Sequence, residues 1–262
     1  MAKEDIMKIL CIIQARNSST RLPRKVMLKL KDKTVLQHVI ERVMKSKYIT
    51  DLVVATTINE SDLDIVKLCS NIGIKVFCGS ENDVLDRFYQ VAKLLNPDLI
   101  VRITSDCPVI DAEIIDKTID SHIKSKADYT KNKNYPDGIG SEVFSYNVLK
   151  TVWKNATSKS DREHVTLYIR TRPNIFNINL VECEIDLYNK RWTLDDENDF
   201  KFVKIIYDEI YDINPFFKFH DILKYVNEHP EIEKINQNTT RDEGLLKSLK
   251  DENNESKFKE VL

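Results

Sequence analysis

Residues 8–25 read KILCIIQARNSSTRLPRK. The apolar run Ile9–Ile13 passes directly into a polar, basic stretch with no glycine. A run this short, rich in isoleucine and bounded by polar residues, reads as a buried strand. Gln14–Lys25 is then a loop at that strand's carboxyl end. It carries Arg16, Arg21, Arg24 and Lys25, with Asn17, Ser18, Ser19 and Thr20 among them, and Pro23 stiffens its exit. Guanidinium groups make bidentate contacts to phosphate oxygens, and Lys supplies a mobile point charge. Small hydroxylated residues let backbone N–H groups approach an anion. The loop has the donors a triphosphate needs; taken alone, it equally suits a solvated basic surface.

The sequence around it settles the class of fold. Thr34 offers an N-cap for a helix with Val35, Leu36, Val39, Ile40 and Val43 on its apolar side. Leu52–Thr57 reads as a second strand, and Ser61 with Asp64 as a capping box opening a second helix. Gly73 suits that helix's end, Ile74–Cys78 a third strand, and Asp83 the cap of VLDRFYQVAKLL. Leu99–Thr104 is a fourth strand and DAEIIDKTIDSHIK a fourth helix. Such alternation predicts an α/β fold, a mostly parallel sheet with helices on both faces. Ligands bind such sheets at the carboxyl edge, so the loops after Gln14, Thr57, Cys78 and Thr104 are the ones to watch. After Ala127 the pattern becomes irregular. ADYTKN, GSEVFSY and NIFNINLVECEI read as short strands, with DREHVTLYIRTR as a helical stretch between them. RWTL then reads as a returning strand, ENDFKFVKIIYDEIY as an amphipathic helix from Asp196, and His220–His229 as another helix. The expected organisation is a core of residues 1–126 and 191–230, an inserted segment 127–190 that covers the edge and forms a dimer contact, and a loosely held charged tail, 231–262.

Composition excludes several functions. The 262 residues are 42% hydrophobic, enough for a sizeable core. Forty Lys and Arg against 42 Asp and Glu leave a net charge of −2, which argues against a polyanion binder working by bulk charge. The basic loop also lacks the interleaved aromatics of a nucleic-acid surface. There are five glycines, at Gly73, Gly79, Gly138, Gly140 and Gly244, so neither a dinucleotide fingerprint nor a P-loop can be written. The five cysteines form no CxxC, and their odd number speaks against a disulfide scaffold. MAKEDIMKILCII is too short an apolar run for a signal peptide, and no stretch reaches the roughly 18–20 apolar residues of a membrane span. A soluble, cytoplasmic protein is expected.

Strand-QAR-x-x-STRLP-x-K resembles the signature loop of the cytidylyltransferases that activate acidic sugars, in particular 3-deoxy-manno-octulosonate cytidylyltransferase and the spore-coat polysaccharide group. The resemblance continues in order through VVATT, GSENDVLDRFYQ, VRITSDCPVID, REHVTLYI and RWTLDDENDF, over roughly residues 7–210. Two positions depart: Arg24 stands where the family commonly has glycine, and Asn17 where a small or apolar residue is common. The resemblance implies a Rossmann-like nucleotidyltransferase fold, similar to glycosyltransferase-A, a three-layer sandwich with an inserted α+β lid or dimerisation segment. It also implies nucleotidyl transfer from CTP to a hydroxyl or phosphate acceptor with release of pyrophosphate, in a homodimer. In that family Arg16, Arg21 and Lys25 would hold the phosphates, with Gln14, Ala15, Ser18 and Ser19 lining the nucleotide. Lys25 would offset charge on the α-phosphate as the acceptor attacks.

In-line attack on phosphorus usually uses magnesium, which takes hard oxygen ligands, often one or two carboxylates plus phosphates. Asp106, between LIVRIT and Cys107-Pro108, fits either a turn aspartate or a carboxylate held over the sheet edge. Asp195 fits either an N-cap or the same kind of ligand. The resemblance favours metal binding by Asp106 and Asp195, and leaves Asp111, Asp196 and Asp199 as capping or surface residues. It places the base near Ala55 and Thr56 and near GSENDVLDR, where Asp86 and Arg87 are candidates. For the acceptor, Glu142, Arg162 and His164 are candidates; His164 fits equally a packed structural histidine, and Asp137-Gly138 equally a simple turn. His38, His122, His220 and His229 lie in amphipathic helices and read as structural. Open alternatives are another nucleotide or a non-sugar acceptor, and a non-catalytic nucleotide-binding subunit.

Overall fold

In a computed structural model, residues 7–252 of the chain are described. β1 (Ile9–Gln14) leads through the basic loop to a small hairpin, β2 (Lys29–Leu30) and β3 (Lys33–Thr34), and to α1 (Val35–Val43). The alternation continues as β4 (Asp51–Thr57), α2 (Leu63–Asn71), β5 (Lys75–Gly79), α3 (Val84–Leu95), β6 (Leu99–Thr104) and α4 (Ala112–Ser125). There follow β7 (Tyr129–Lys133), β8 (Glu142–Ser145), α5 (Tyr146–Asn155), α6 (Lys159–Glu163), α7 (Leu167–Arg170) and β9 (Ile178–Glu182). α8 (Glu197–Ile210), α9 (Phe219–Glu228), α10 (Pro230–Glu233) and α11 (Glu243–Asp251) complete the described chain.

Seven strands form one sheet in the order β5-β4-β1-β6-β8-β7-β9. β5, β4, β1 and β6 are parallel neighbours, while β8 runs antiparallel to both β6 and β7. This is the α/β architecture the alternation predicts. Side chains alternate along β1. Ile9, Cys11 and Ile13 pack with Leu36, Ile65 and Ile115 of α1, α2 and α4, while Leu10 and Ile12 pack with Leu85, Phe88 and Leu149 of α3 and α5. A third core gathers Trp192 and Leu194 with Phe202, Ile206 and Phe217 beside the sheet. The predicted caps form: Thr34 accepts from Gln37 N, Asp83 from Asp86 N and Asp111 from Glu113 N.

The chain winds outward from β1 through β4 to β5, then crosses back to lay β6 on β1's other side. The carboxyl ends of β1 and β6 therefore flank the point where strand order reverses, where a crevice opens in folds of this kind. Gln14 pairs with Thr104 in that register, and Ser105 N donates to Gln14 O.

Four local expectations meet a different arrangement. The strands of residues 127–190 do not stand apart as a lid; β8, β7 and β9 extend the core sheet. RWTL joins no strand: Arg191 forms a lone bridge with Asp137, and Leu194 N donates to Asp106 O, so the segment is zipped between two turns. The Ser61–Asp64 capping box is absent. Asp62 precedes α2, and its carboxylate accepts instead from Asn17 N (2.7 Å) and Thr57 Oγ1 (2.5 Å). DREHVTLYIRTR is broken at Val165, whose φ of 47° lies in the left-handed region. Val165 is buried against the α3–α5 face while Thr166 Oγ1 donates to Glu142 (2.8 Å), and these two demands stop a continuous helix.

The described part of the tail is tied to the core at Asn236 and touches it again along α11. Asn236 is buried and donates to Arg191 O (3.0 Å) and Asp199 Oδ1 (2.9 Å). Leu245 and Leu249 pack on Leu167, and Ser160 N donates to Glu252 Oε1 at 2.7 Å. Residues 253–262 of the expected tail lie outside the described residues.

Candidate active site

The basic loop is pinned from its first residues. Ala15 N donates to Ala55 O at 3.1 Å, continuing the ladder past the end of β1. The amide side chain of Asn17 donates to Ser61 O (2.6 Å), and the Asn17 backbone carbonyl accepts from Arg24 N (3.1 Å). Arg24 has φ 57° and pairs with Asp64. A left-handed backbone at this position is why glycine suits it in related loops. A short turn, Lys25–Met27, then buries Val26 and swings Lys25 inward.

Lys25 Nζ donates to Asp106 Oδ2 at 2.7 Å and to Asp195 Oδ1 at 2.6 Å. These carboxylates come from segments 81 and 170 residues away. They are aligned by the zipped segment: Thr193 Oγ1 (3.2 Å) and Leu194 N (2.9 Å) both donate to the Asp106 carbonyl. Asp196, not Asp195, caps α8, in a capping box with Asp199. That leaves the Asp195 carboxylate free to face Lys25, Arg21 (3.2 Å) and Arg191 (3.2 Å). Burial pushes the Asp106 carboxyl up, but Lys25 and Thr104 outweigh it and hold the group down at about 2. Burial works against the Lys25 charge, and the two aspartates more than restore it, raising its pKa.

The other loop arginines reach outward. Arg16 lies between Glu81 (3.9 Å) and Glu163 (3.7 Å), and Arg21 also pairs with Glu243. Ser18 Oγ donates to Glu81 (2.6 Å), while Ser19 Oγ accepts from Leu22 N within the turn. Thr56 donates to Asp62. Arg87 is buried and donates to Ser80 O; its Nε has no hydrogen-bond partner among the described residues. Burial first, and then the Arg16 charge, lower its pKa to about 10. A Cβ at Gly79 would lie 2.9 Å from Arg87 Cγ, so this close approach requires glycine.

Two expected residues fall elsewhere. Asp86 accepts from Trp153 Nε1 (2.8 Å) and Gln90, which ties α3 to α5 and turns the carboxylate away from the loop. Arg162 spends its guanidinium on Asp83 (2.6 and 2.9 Å) and Trp153 O (2.9 Å), a strut beneath α6. Glu142 does face the edge. It pairs with Arg102 and accepts from Tyr129 and Thr166, while Arg102 Nε donates to Gln14 Oε1 at 3.0 Å. Burial would raise the Glu142 carboxyl; Arg102 and Arg170 bring it down to about 2. His164 Nε2 lies 3.0 Å from Ser248 Oγ, and burial lowers its pKa to about 4, so it is neutral at pH 7.

Arg191 and Arg102 were not anticipated. Arg191 grips Asp199 through two bonds of 2.8 Å and reaches Asp137 at 3.1 Å. Burial and the nearby Asp242 and Asp106 nonetheless push Asp137 up to about 6, although Arg241 and Arg191 oppose the rise. The Arg191 charge is largely committed to Asp199. Arg102 did leave a signal, as the one charged residue within LIVRIT.

No group of three or more His, Cys, Asp or Glu among the described residues is arranged for a metal ion. Two convergent carboxylates suffice for magnesium when phosphates complete its shell. Asp106 and Asp195 fit, since they already share one cation. Among the described residues no helix is long and apolar enough to cross a membrane.

At the strand-order reversal, loop cations face paired carboxylates, an arrangement chemically suited to a nucleotide's phosphates. The cytidylyltransferase family model matches residues 10–245, and the chain belongs to that family. An uncharacterized protein of Methanocaldococcus jannaschii is 44% identical over 234 residues, 88% of this chain and 96% of that protein. The spore coat polysaccharide biosynthesis protein SpsF of Bacillus subtilis is 35% identical over 230 residues, 85% of this chain and 95% of that one. Among solved structures, a cytidylyltransferase from Leptospira borgpetersenii superposes with TM-score 0.83 at 31% identity, covering 90% of this chain and 99% of that one. A CMP:2-keto-3-deoxy-manno-octonic acid synthetase complexed with CTP shares the fold, with TM-score 0.62 at 16% identity over 77% of this chain and 99% of that one.

Proposed function

We propose that the chain is a magnesium-dependent cytidylyltransferase of cell-surface glycan biosynthesis, transferring a cytidylyl group from CTP to an acidic sugar, sugar phosphate or related acceptor. The observation that carries this reading is the Lys25 ammonium held by both Asp106 and Asp195 at the carboxyl edge of β1 and β6. Asp106 and Asp195 would hold the magnesium ion, which when bound supplies positive charge to the phosphate oxygens. Lys25, Arg16 and Arg21 bind the triphosphate. Lys25, with two of its three N–H groups committed here, moves to the α-phosphate and offsets its charge. The loop backbone from Gln14 to Ser19 and the ends of β4 at Ala55 and Thr56 flank the nucleoside, with Arg87 beneath. Glu142 and His164 border the acceptor side.

An acceptor oxygen held in line within about 3–3.5 Å of the α-phosphorus attacks without a covalent enzyme intermediate. One P–O bond forms to the acceptor, the bond to the β-phosphate oxygen breaks, and pyrophosphate leaves. A homodimer accompanies this reading: β9 ends the sheet order and exposes Leu180, an edge another strand can cover. Sedimentation of the purified chain measures that directly. For the reaction, CTP, UTP, ATP and GTP are each offered with magnesium and a pooled library of sugar acids, sugars and sugar phosphates. Pyrophosphate release with CTP, and a cytidylylated product by mass spectrometry, is expected. Turnover with another nucleotide in preference to CTP overturns the donor assignment.

A further inference from the structure

Helix α11 meets the basic loop after β1. Arg21 divides its guanidinium between Asp195 (3.2 Å) and Glu243, the first residue of α11. Arg16 is reached indirectly: Ser248 Oγ of α11 donates to Glu163 (3.2 Å), whose other oxygen lies 3.7 Å from Arg16. The same helix therefore touches, at one remove or none, two of the loop's outward cations, Arg21 and Arg16.

Among the described residues its buried apolar contact is Leu245 and Leu249 on Leu167, a cluster separate from the three main cores, and Ser248 Oγ lies 3.0 Å from His164 Nε2. Polar contacts supply the rest. Glu252 accepts from Ser160, and Arg241 donates to Tyr135 O (3.1 Å) and Tyr188 O (2.9 Å). Asp242, just before α11, has φ 56°, and Asn236 anchors the segment upstream. A firmly pinned base, a left-handed turn and a helix on a small apolar cluster make a strap that can lift as a unit.

We propose that α11 is an autoinhibitory strap: Glu243 occupies Arg21 in the ligand-free chain, and triphosphate binding displaces it. Carboxylate and phosphate compete for the same guanidinium fork. A triphosphate brings several negative charges to a point where Glu243, 53% exposed, brings one. The nucleotide wins that exchange, and like-charge repulsion then drives the first turn of α11 away. The strap also keeps Arg21 paired when no nucleotide is present. This inference rests on the nucleotide reading above.

The test uses the full chain and CTP with magnesium, with affinity read by calorimetry and hydrogen exchange read over 243–251. Glu243→Gln is expected to bind CTP about two- to fivefold more tightly, the scale of an exposed ion pair. Leu245→Ser with Leu249→Ser is expected to lose exchange protection over α11 without ligand and to show the same tighter binding. In the wild-type chain, CTP is expected to reduce protection there. CTP binding with equal affinity in all three proteins, or increased protection of α11 on binding, overturns the strap and leaves the nucleotide reading intact. No CTP binding by any of them overturns both.

Discussion

The ion cluster around Lys25 and the one around Arg191 share Asp195 and differ in how fully their charges are satisfied. Arg191 is 5% exposed and holds Asp199, which is fully buried, through two bonds; Asn236 and the backbone of Asp195 and Asp196 take up Asp199's remaining capacity. Lys25 meets Asp106 and Asp195, whose side chains are 23% and 22% exposed. A saturated buried pair is a strut, since removing one partner strands the other. A half-open cluster with spare acceptor capacity can exchange its cation. Side by side, the first cluster fixes the turn and the second works at its edge.

Substitutions can break this contrast. Asp106→Ala or Asp195→Ala should cut pyrophosphate release on the order of a thousandfold or more, while the variant still unfolds in a cooperative thermal melt. Either variant turning over at the wild-type rate would remove the proposed division of labour. Arg191→Ala should do the reverse and cost about 3–5 kcal/mol in urea unfolding, because Asp199 stays buried without its partner. Glu142→Gln should cost about 2 kcal/mol near neutral pH, since Arg102 loses its charged acceptor. With Glu142 held at about 2, its contribution is fully present above the unfolded value near 4.3 and lost as pH falls toward 2. The Gln variant should therefore lose less stability than wild type across that window.

The smallest expected effect concerns His164, which faces Glu163, Arg102, Arg170 and Asp242. Its folded value of about 4 lies below the unfolded value near 6.5, so the unfolded chain takes up its proton first. Stability is intact above pH 6.5 and declines as pH falls through 4. His164→Asn should flatten that decline in pH-dependent melts. An unchanged profile would place the acid sensitivity on other groups.

Legibility followed the range of the forces. β1, α1, α3 and α4 were readable because their periodicity and their caps at Thr34, Asp83 and Asp111 are local. The basic character of the loop is legible because Arg16, Arg21, Arg24 and Lys25 lie close together in sequence. Asp62 was not: its choice of Asn17 N over the start of α2 depends on a segment 45 residues away. Trp192 and Leu194 look like a strand in isolation, yet the turns at Asp137 and Asp106 capture their backbone first. Val165 gave no warning of a left-handed backbone, since valine disfavours it; tertiary packing overrides that preference. Asp86 and Arg162 sit in family-like stretches but serve the α3–α5–α6 packing, a partnership that appears only once the helices meet.

Calorimetric titration of CTP into the chain, with and without magnesium, tests the central arrangement most directly when repeated on Asp106→Asn and Asp195→Asn. Binding to the wild-type chain should depend on magnesium, and both variants should lose that dependence. Magnesium-dependent binding of equal strength in all three would contradict that arrangement.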